Sequence, residues 1–229
     1  MSWLDTKPAS RRVKRQPEPR PRYRIGMSRK FFIRRNLAKL MLKAFGWKTA
    51  GDPPPSGILV GAPHTSNWDW PATLALTWTS NIQPRLMVKQ ELFIPPFSWI
   101  LKATGAVALD RKNPRETVRQ LVEEAKSSDG TFHLALAAEG TRSKGTYWKS
   151  GFRRLAIETG MPISLAYVDK TTRTTGWGPT FYPSDDVKAD MDIVRSFYAD
   201  KVGINPELTT PPLLREEVEL ESGNEQPSA

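Results

Sequence analysis

The sequence predicts a single α/β domain built on a largely parallel mixed sheet flanked by helices, with an amino-terminal amphipathic helix and disordered tails. Three observations predict it. Between residues 57 and 201, short apolar runs alternate with stretches of helical period, the pattern of βα units. At 229 residues the chain suits one domain of ordinary size and is too short for two full ones. Cysteine is absent and histidine occurs twice, which excludes disulfides, thiol nucleophiles and Cys-based zinc sites. The core must hold by packing alone.

Residues 1–27 combine Pro8, Pro17, Pro19 and Pro21 with closely spaced Arg and Lys, so they read as a disordered basic tail. Residues 1–35 carry twelve basic and two acidic side chains, and the remainder carries 22 of each. The net charge of +10 therefore belongs to the amino terminus, which argues against a basic nucleic-acid-binding domain. Ser10-Arg11-Arg12 is followed by Arg20, Arg22 and Arg24 where an export signal needs an apolar stretch, so no export is expected. No apolar run reaches the roughly 18 residues of a membrane-spanning helix.

Residues 28–46 form the amphipathic helix, capped by Ser28 and stopped by Gly46. Ile33, Leu37, Leu40, Met41 and Ala44 recur at helical spacing, and Arg35, Lys39 and Lys43 line another side. Residues 47–205 are the domain proper. Strands are expected at Gly57–Ala62, Arg85–Lys89, Ala106–Leu109, Thr131–Ala137 and Ile163–Val168. Helices are expected at Trp68–Ser80, Phe97–Thr104, Pro114–Ser127, Gly151–Thr159 and Asp186–Lys201. Most of Trp47, Trp68, Trp70, Trp78 and Trp99 read as core. Residues 206–229, rich in Glu against one Arg215, read as an acidic disordered tail.

In such folds reacting groups gather where strands end and helices begin. The first such junction holds His64-Thr65-Ser66-Asn67-Trp68-Asp69. On one continuous helix, residues five apart lie about 140° round the axis and do not share a face. With His64 in the turn before the helix and Asp69 in its first turns, the carboxylate can fold back onto the imidazole. That makes a base whose tautomer an acid holds. A lone histidine in a turn is more often a structural cap. His64 is singled out by Glu139-Gly140-Thr141-Arg142-Ser143, which follows the Thr131–Ala137 strand 75 residues later. There a glycine lets backbone approach a ligand, and Thr, Arg and Ser supply donors suited to phosphate. Gly105 through Asp110-Arg111 sets a second arginine after a strand, so two guanidiniums can clamp one phosphate. His133 alternates within its strand and reads as structural. No serine sits in a G-x-S-x-G elbow and no HExxH or HxH spacing exists, so neither a serine nucleophile nor a metal is expected.

These motifs, with Met161-Pro162-Ile163 after them, stand in the order of the four motifs of the glycerolipid acyltransferases. The chain resembles that family over about residues 28–205, and most of all its 1-acyl-sn-glycerol-3-phosphate acyltransferase type. Lys89-Gln90-Glu91-Leu92 fits the usual lead-in to the second motif. The resemblance implies an O-acyltransferase of phospholipid synthesis. His64 would be the general base on the acceptor hydroxyl, and Asp69 would orient it. Arg111 and Arg142 would hold the acceptor phosphate in a pocket shaped by Glu139, Gly140, Thr141 and Ser143. It implies an acyl-CoA or acyl carrier protein thioester as co-substrate, a lysophospholipid acceptor, and no cofactor. The sequence departs from the family pattern at Pro63, often Asn, at Ala137-Ala138, usually Phe-Pro, and at Leu165 in the fourth motif.

A lipid substrate demands access to a bilayer. Phe31, Phe32, Ile33, Leu37, Leu40, Met41 and Phe45 beside six cations read as an interfacial helix on an anionic membrane surface, placing the protein peripherally on the cytoplasmic face. Three other readings stand beside this one. The same fold can serve another lyso-lipid acceptor. A thioester hydrolase would use His64 to activate water. A nucleic-acid module would use residues 7–35, though only Tyr23 offers a stacking ring within 7–30.

Overall fold

The computed structural model describes residues 29–109, 114–128 and 131–224. The expected tail 1–27, with Ser28, lies outside them. Helix α1 (Arg29–Phe45) leads into strand β1 (Lys48–Ala50) and then β2 (Gly57–Ala62). There follow α2 (Asp69–Thr79), β3 (Arg85–Lys89), α3 (Phe97–Ala103), β4 (Ala106–Leu109), α4 (Pro114–Ser127) and β5 (His133–Ala137). The chain continues through α5 (Gly151–Thr159), β6 (Ile163–Asp169), β7 (Thr174–Phe181), α6 (Val187–Tyr198) and α7 (Arg215–Asn224). The seven strands lie in the order β1-β7-β6-β2-β5-β3-β4. Strands β2 to β6 run parallel, and β7 turns back antiparallel on β6 with β1 parallel beside it. The expected mixed, largely parallel α/β sheet is the observed one.

The period-two alternation of a strand sends neighbouring residues to opposite faces. Ile58, Val60 and Leu134 join Leu121, Phe152, Leu155, Met191 and Val194 in the main core under α4, α5 and α6. Leu59 and Ala135 point the other way, onto Leu76 of α2, Leu86 and Trp177. Both faces of the central strands are covered, which is why they read as unbroken apolar runs. Tyr198 of α6 reaches through to β2 and β6, its hydroxyl within 2.9 Å of the Val60 carbonyl and 2.8 Å of that of Ala166.

Helix α1 is apolar on two sides. Ala38 and Leu42 are buried against Ala75 of α2. Arg34 lies over the Trp78 ring and donates to the Ala103 carbonyl at the end of α3. Ile33, Leu37 and Leu40 face outward.

Two expectations are corrected. Residues 206–224 are not a solvated tail: Leu214 is fully buried in the main core, forms a bridge with Trp148, and is followed by α7. Glu217 is buried and paired with Arg195 at 2.7 Å. Composition hid this, because Leu214, Thr210 and the Glu217 ion pair anchor a segment in which Glu207 and Glu219 stay exposed. Residues 225–229 lie outside the described residues. Strands β1 and β7 were not expected, since Lys48–Ala50 is short and exposed and Thr174–Phe181 is interrupted by Gly176, Gly178 and Pro179. Of the five tryptophans in 47–99, Trp47, Trp70 and Trp78 pack on the core clusters as expected of most, and Trp68 and Trp99 are exposed.

If Leu214 is part of the core, Leu214→Ala should destabilise the protein by about 2–5 kcal/mol. A solvated position would change by less than about 0.5 kcal/mol. Urea midpoints of the two proteins decide between these values.

Candidate active site

The site begins with strand register. Gly61 of β2 lies opposite Ala137 of the parallel β5, so the chains leaving the two carboxyl ends emerge side by side. One carries His64, the other Glu139. The sheet order reverses at β2, with β5-β3-β4 on one flank and β6-β7-β1 on the other, and ligands of open α/β sheets bind at such a point. Across this junction the His64 amide donates to Glu139 Oε1 at 2.5 Å. The second oxygen of Glu139 accepts from the Thr210 amide at 3.0 Å. Burial pushes the Glu139 carboxyl above its ordinary range, against the pull of the Thr210 and His64 amides. Both its oxygens are committed to main chain, so this side chain ties loops together.

Ser66 and Asp69 explain how the turn returns to His64. The Ser66 amide donates to Asp69 Oδ2 at 2.9 Å, and the Trp68 amide approaches Ser66 Oγ at 3.2 Å. These two bonds close the turn that leads into α2, which begins at Asp69. They draw the Asp69 carboxylate backwards over the turn, where the same Oδ2 lies 3.1 Å from Nδ1 of His64. A carboxylate accepts only, so a neutral ring facing it would carry its proton on Nδ1 and leave the Nε2 lone pair open. Asp69 is buried, and its Oδ1 has no hydrogen-bond partner among the described residues. The His64 side chain remains 24% exposed.

His64 and Asp69 border a cavity of about 2190 Å³. That exceeds the range of about 300–1,000 Å³ usual for small-molecule sites. Glu139, Gly140, Thr141 and Arg142 line it beside them. Gly140 has φ +70°, a left-handed conformation that a side chain there would strain, and its Cβ would stand 3.0 Å from Lys149. Arg142 is exposed, and its Nε donates to the Ser66 carbonyl at 3.1 Å, joining the arginine to the histidine's own turn. Much of the remaining wall is apolar, with Leu76, Leu86, Val88 and Trp177 inside and Leu92, Ile94, Phe97 and Ile100 continuing onto the surface, while Lys89, Arg119, Arg154 and Glu158 add charged groups. Thus six of the expected residues come together. Ser143 stands outside this lining, its amide 3.3 Å from Thr141 Oγ1, and Arg111 lies outside the described residues.

Thr210 and Ser66 escaped the sequence reading. Ser66 had a signal, its three-residue spacing from Asp69. Thr210 had none, standing in the presumed tail. Among the described residues no group of His, Asp or Glu is arranged to hold a metal ion, and no helix is long and apolar enough to cross a membrane.

Comparison with known proteins follows the same lines. A search of curated proteins finds no match. The fold is similar to the crystal structure of the 1-acyl-sn-glycerophosphate (LPA) acyltransferase PlsC from Thermotoga maritima, with a TM-score of 0.53 and 18% identity, covering 87% of this chain and 81% of that one. A family model described as Acyltransferase matches residues 51–167, from just after β1 through most of β6, and takes in both His64 and Arg142. That stretch is more than half of the chain and holds the His–Asp pair at the cavity wall: the protein belongs to the acyltransferase family.

Proposed function

We propose that the protein transfers a fatty acyl group from an acyl thioester to the hydroxyl of a lysophosphatidic-acid-like acceptor, with His64 as general base. The observation that carries this reading is the 3.1 Å contact of His64 Nδ1 with the buried Asp69, beside a cavity on which Arg142 also opens. Nε2 takes the acceptor's hydroxyl proton as that oxygen attacks the thioester carbonyl. The tetrahedral intermediate then collapses, the C–S bond breaks, and the leaving sulfur takes the proton from the imidazolium. The products are a carboxylic ester and a free thiol. No acyl-enzyme is needed, because the thioester is already activated and both substrates need only orientation and a base.

Acceptor recognition falls to Arg142, with Arg111 as the proposed second guanidinium. Arg142 is anchored through Nε, which leaves its terminal nitrogens as the natural phosphate fork. Glu139 shapes this end by holding its loops. Lysophosphatidic acid suits a cavity that sets His64 and Arg142 beside a run of apolar wall residues. The donor is acyl-CoA or acylated carrier protein.

The same cavity favours a peripheral site on an anionic membrane surface at the cytoplasmic face. Leu92, Ile94, Phe97 and Ile100 are both cavity wall and exposed surface, so an acyl chain can pass from a bilayer without crossing water. Trp68 stacks near Phe45 of α1, and Trp99 is 74% exposed. The outward Ile33, Leu37 and Leu40 would enter the acyl region while Arg35, Lys39 and Lys43 meet headgroup phosphates.

Three outcomes test this function. His64→Ala should lower acyl transfer by at least about 10²–10⁴-fold with the fold intact, and Asp69→Asn should also cost heavily by releasing the tautomer. The assay is thiol release from acyl-CoA with and without lysophosphatidic acid. Release independent of any acceptor would instead identify a hydrolase, and full activity in His64→Ala would exclude the proposed base. Arg142→Ala should raise KM for the phosphorylated acceptor more than it lowers kcat, as steady-state kinetics over acceptor concentration will show. The double variant Leu37→Asp/Leu40→Asp should lose flotation with phosphatidylglycerol-containing vesicles while retaining its circular dichroism. These side chains point away from the domain, so the substitution spares the packing against α2 that deletion of α1 would remove. Unchanged flotation would refute this mode of attachment.

A further inference from the structure

Residues 202–210 lie beyond the stretch matched by the acyltransferase family model, yet they press on the turn that carries His64. Asn205 donates through Nδ2 to the Thr65 carbonyl at 2.8 Å, and its own amide donates to Thr65 Oγ1 at 3.0 Å. Thr65 is only 1% exposed, so these groups have no ready replacement in water. Gly203 packs against the same turn: a Cβ there would stand 2.8 Å from Thr65 Oγ1 and 3.0 Å from the Pro63 side chain. The residues on either side of His64 are therefore seated on this segment. Farther along it, Thr210 holds the Glu139 carboxylate that in turn accepts from the His64 amide.

The segment has an anchor of its own. The Lys170 amide donates to the Val202 carbonyl at 2.8 Å, and the Val202 amide reaches Asp169 Oδ1 at 3.3 Å, just past the end of β6. Since β6 pairs with β2, the strand beside the histidine's own strand supplies the abutment. Neither Thr65 nor Asn205 lines the cavity. Whatever they contribute passes through His64.

We propose that Asn205 is a positioning residue for the general base: its two hydrogen bonds to Thr65 set the turn so that His64 meets Asp69 and faces the substrate. The inference rests on the reading of His64 as that base. Without the side-chain donor, the buried Thr65 carbonyl must find another partner, and the turn shifts to supply one. A displacement of about 1 Å at a reacting group can cost on the order of 10²-fold in rate. Because no substrate touches Asn205, the loss falls on kcat and leaves binding in place.

The test uses the full-length chain with acyl-CoA and lysophosphatidic acid. Asn205→Asp keeps the shape but replaces the donor by an acceptor. Thr65→Val removes the hydroxyl with little change of volume, and Thr65→Ser restores it. Asn205→Asp is expected to lower kcat by about 10–100-fold with KM for both substrates within about threefold of wild type. Thr65→Val should lower kcat in the same pattern, and Thr65→Ser should recover most of the rate. Should Asn205→Asp fail to fold, as thermal melting would reveal, the Thr65 pair alone decides. Unchanged kcat in the folded variants, a rise in KM matching the fall in kcat, or no difference between Thr65→Ser and Thr65→Val overturns the proposal. His64→Ala is measured alongside. If it retains wild-type turnover, the base assignment itself fails; if it is inactive while the folded Asn205 and Thr65 variants turn over normally, only the positioning role fails.

Discussion

The parallel pairing of β2 with β5 is the constraint on which the site depends. Gly61 opposite Ala137 brings two turns, 75 residues apart in sequence, to one edge of the sheet. A slip of one residue would exchange the two faces of β2, moving Ile58 and Val60 out of the main core and Leu59 into it. The register is thus held by apolar burial along the strands, and the hydrogen bond from the His64 amide to Glu139 inherits it. Core packing and site geometry are one requirement here. A single carboxylate beyond the strands converts their alignment into the placement of a histidine.

Much of this was legible in the sequence. The five parallel strands were readable because each is a bounded apolar run, and α4 and α5 because Pro114 and Gly160 mark their ends. His64 and Asp69 were legible as a pair once the turn between them was recognised. What stayed hidden has physical causes. Strand β7 carries no alternation, and its pairing depends on β6, which lies ahead of it in the chain. Leu214 and Thr210 sit among acidic and proline residues whose average composition resembles a solvated tail, while their burial is decided by Trp148 and Glu139 far upstream. A sequence reading weighs neighbours along the chain. These residues answer to neighbours in space.

The outer surface extends the same logic. Helix α1 reads as amphipathic, but its apolar positions divide between a side buried on α2 and a side turned to solvent. A helix apolar on opposite sides is poorly suited to water alone, and in the proposed attachment its cation row would match the outer side to an anionic bilayer. The cavity repeats that arrangement at α3, where the wall residues Phe97 and Ile100 run onto the surface. In the proposed function, the tail of an amphiphilic acceptor would lie along these apolar residues while its headgroup approached Arg142.

The buried carboxylate of Asp69 fits the proposed chemistry. In that proposal its Oδ2 faces both the Ser66 amide and the imidazole Nδ1 before the proton moves. If the imidazole gains the acceptor's proton as proposed, a positive ring appears beside Asp69 and the attraction strengthens, more so because the carboxylate is buried. The interaction is therefore stronger near the transition state than in the resting site, which is the only kind that accelerates a chemical step. Glu139, with both oxygens held by main-chain amides behind the turn, suits a brace rather than a partner in proton transfer.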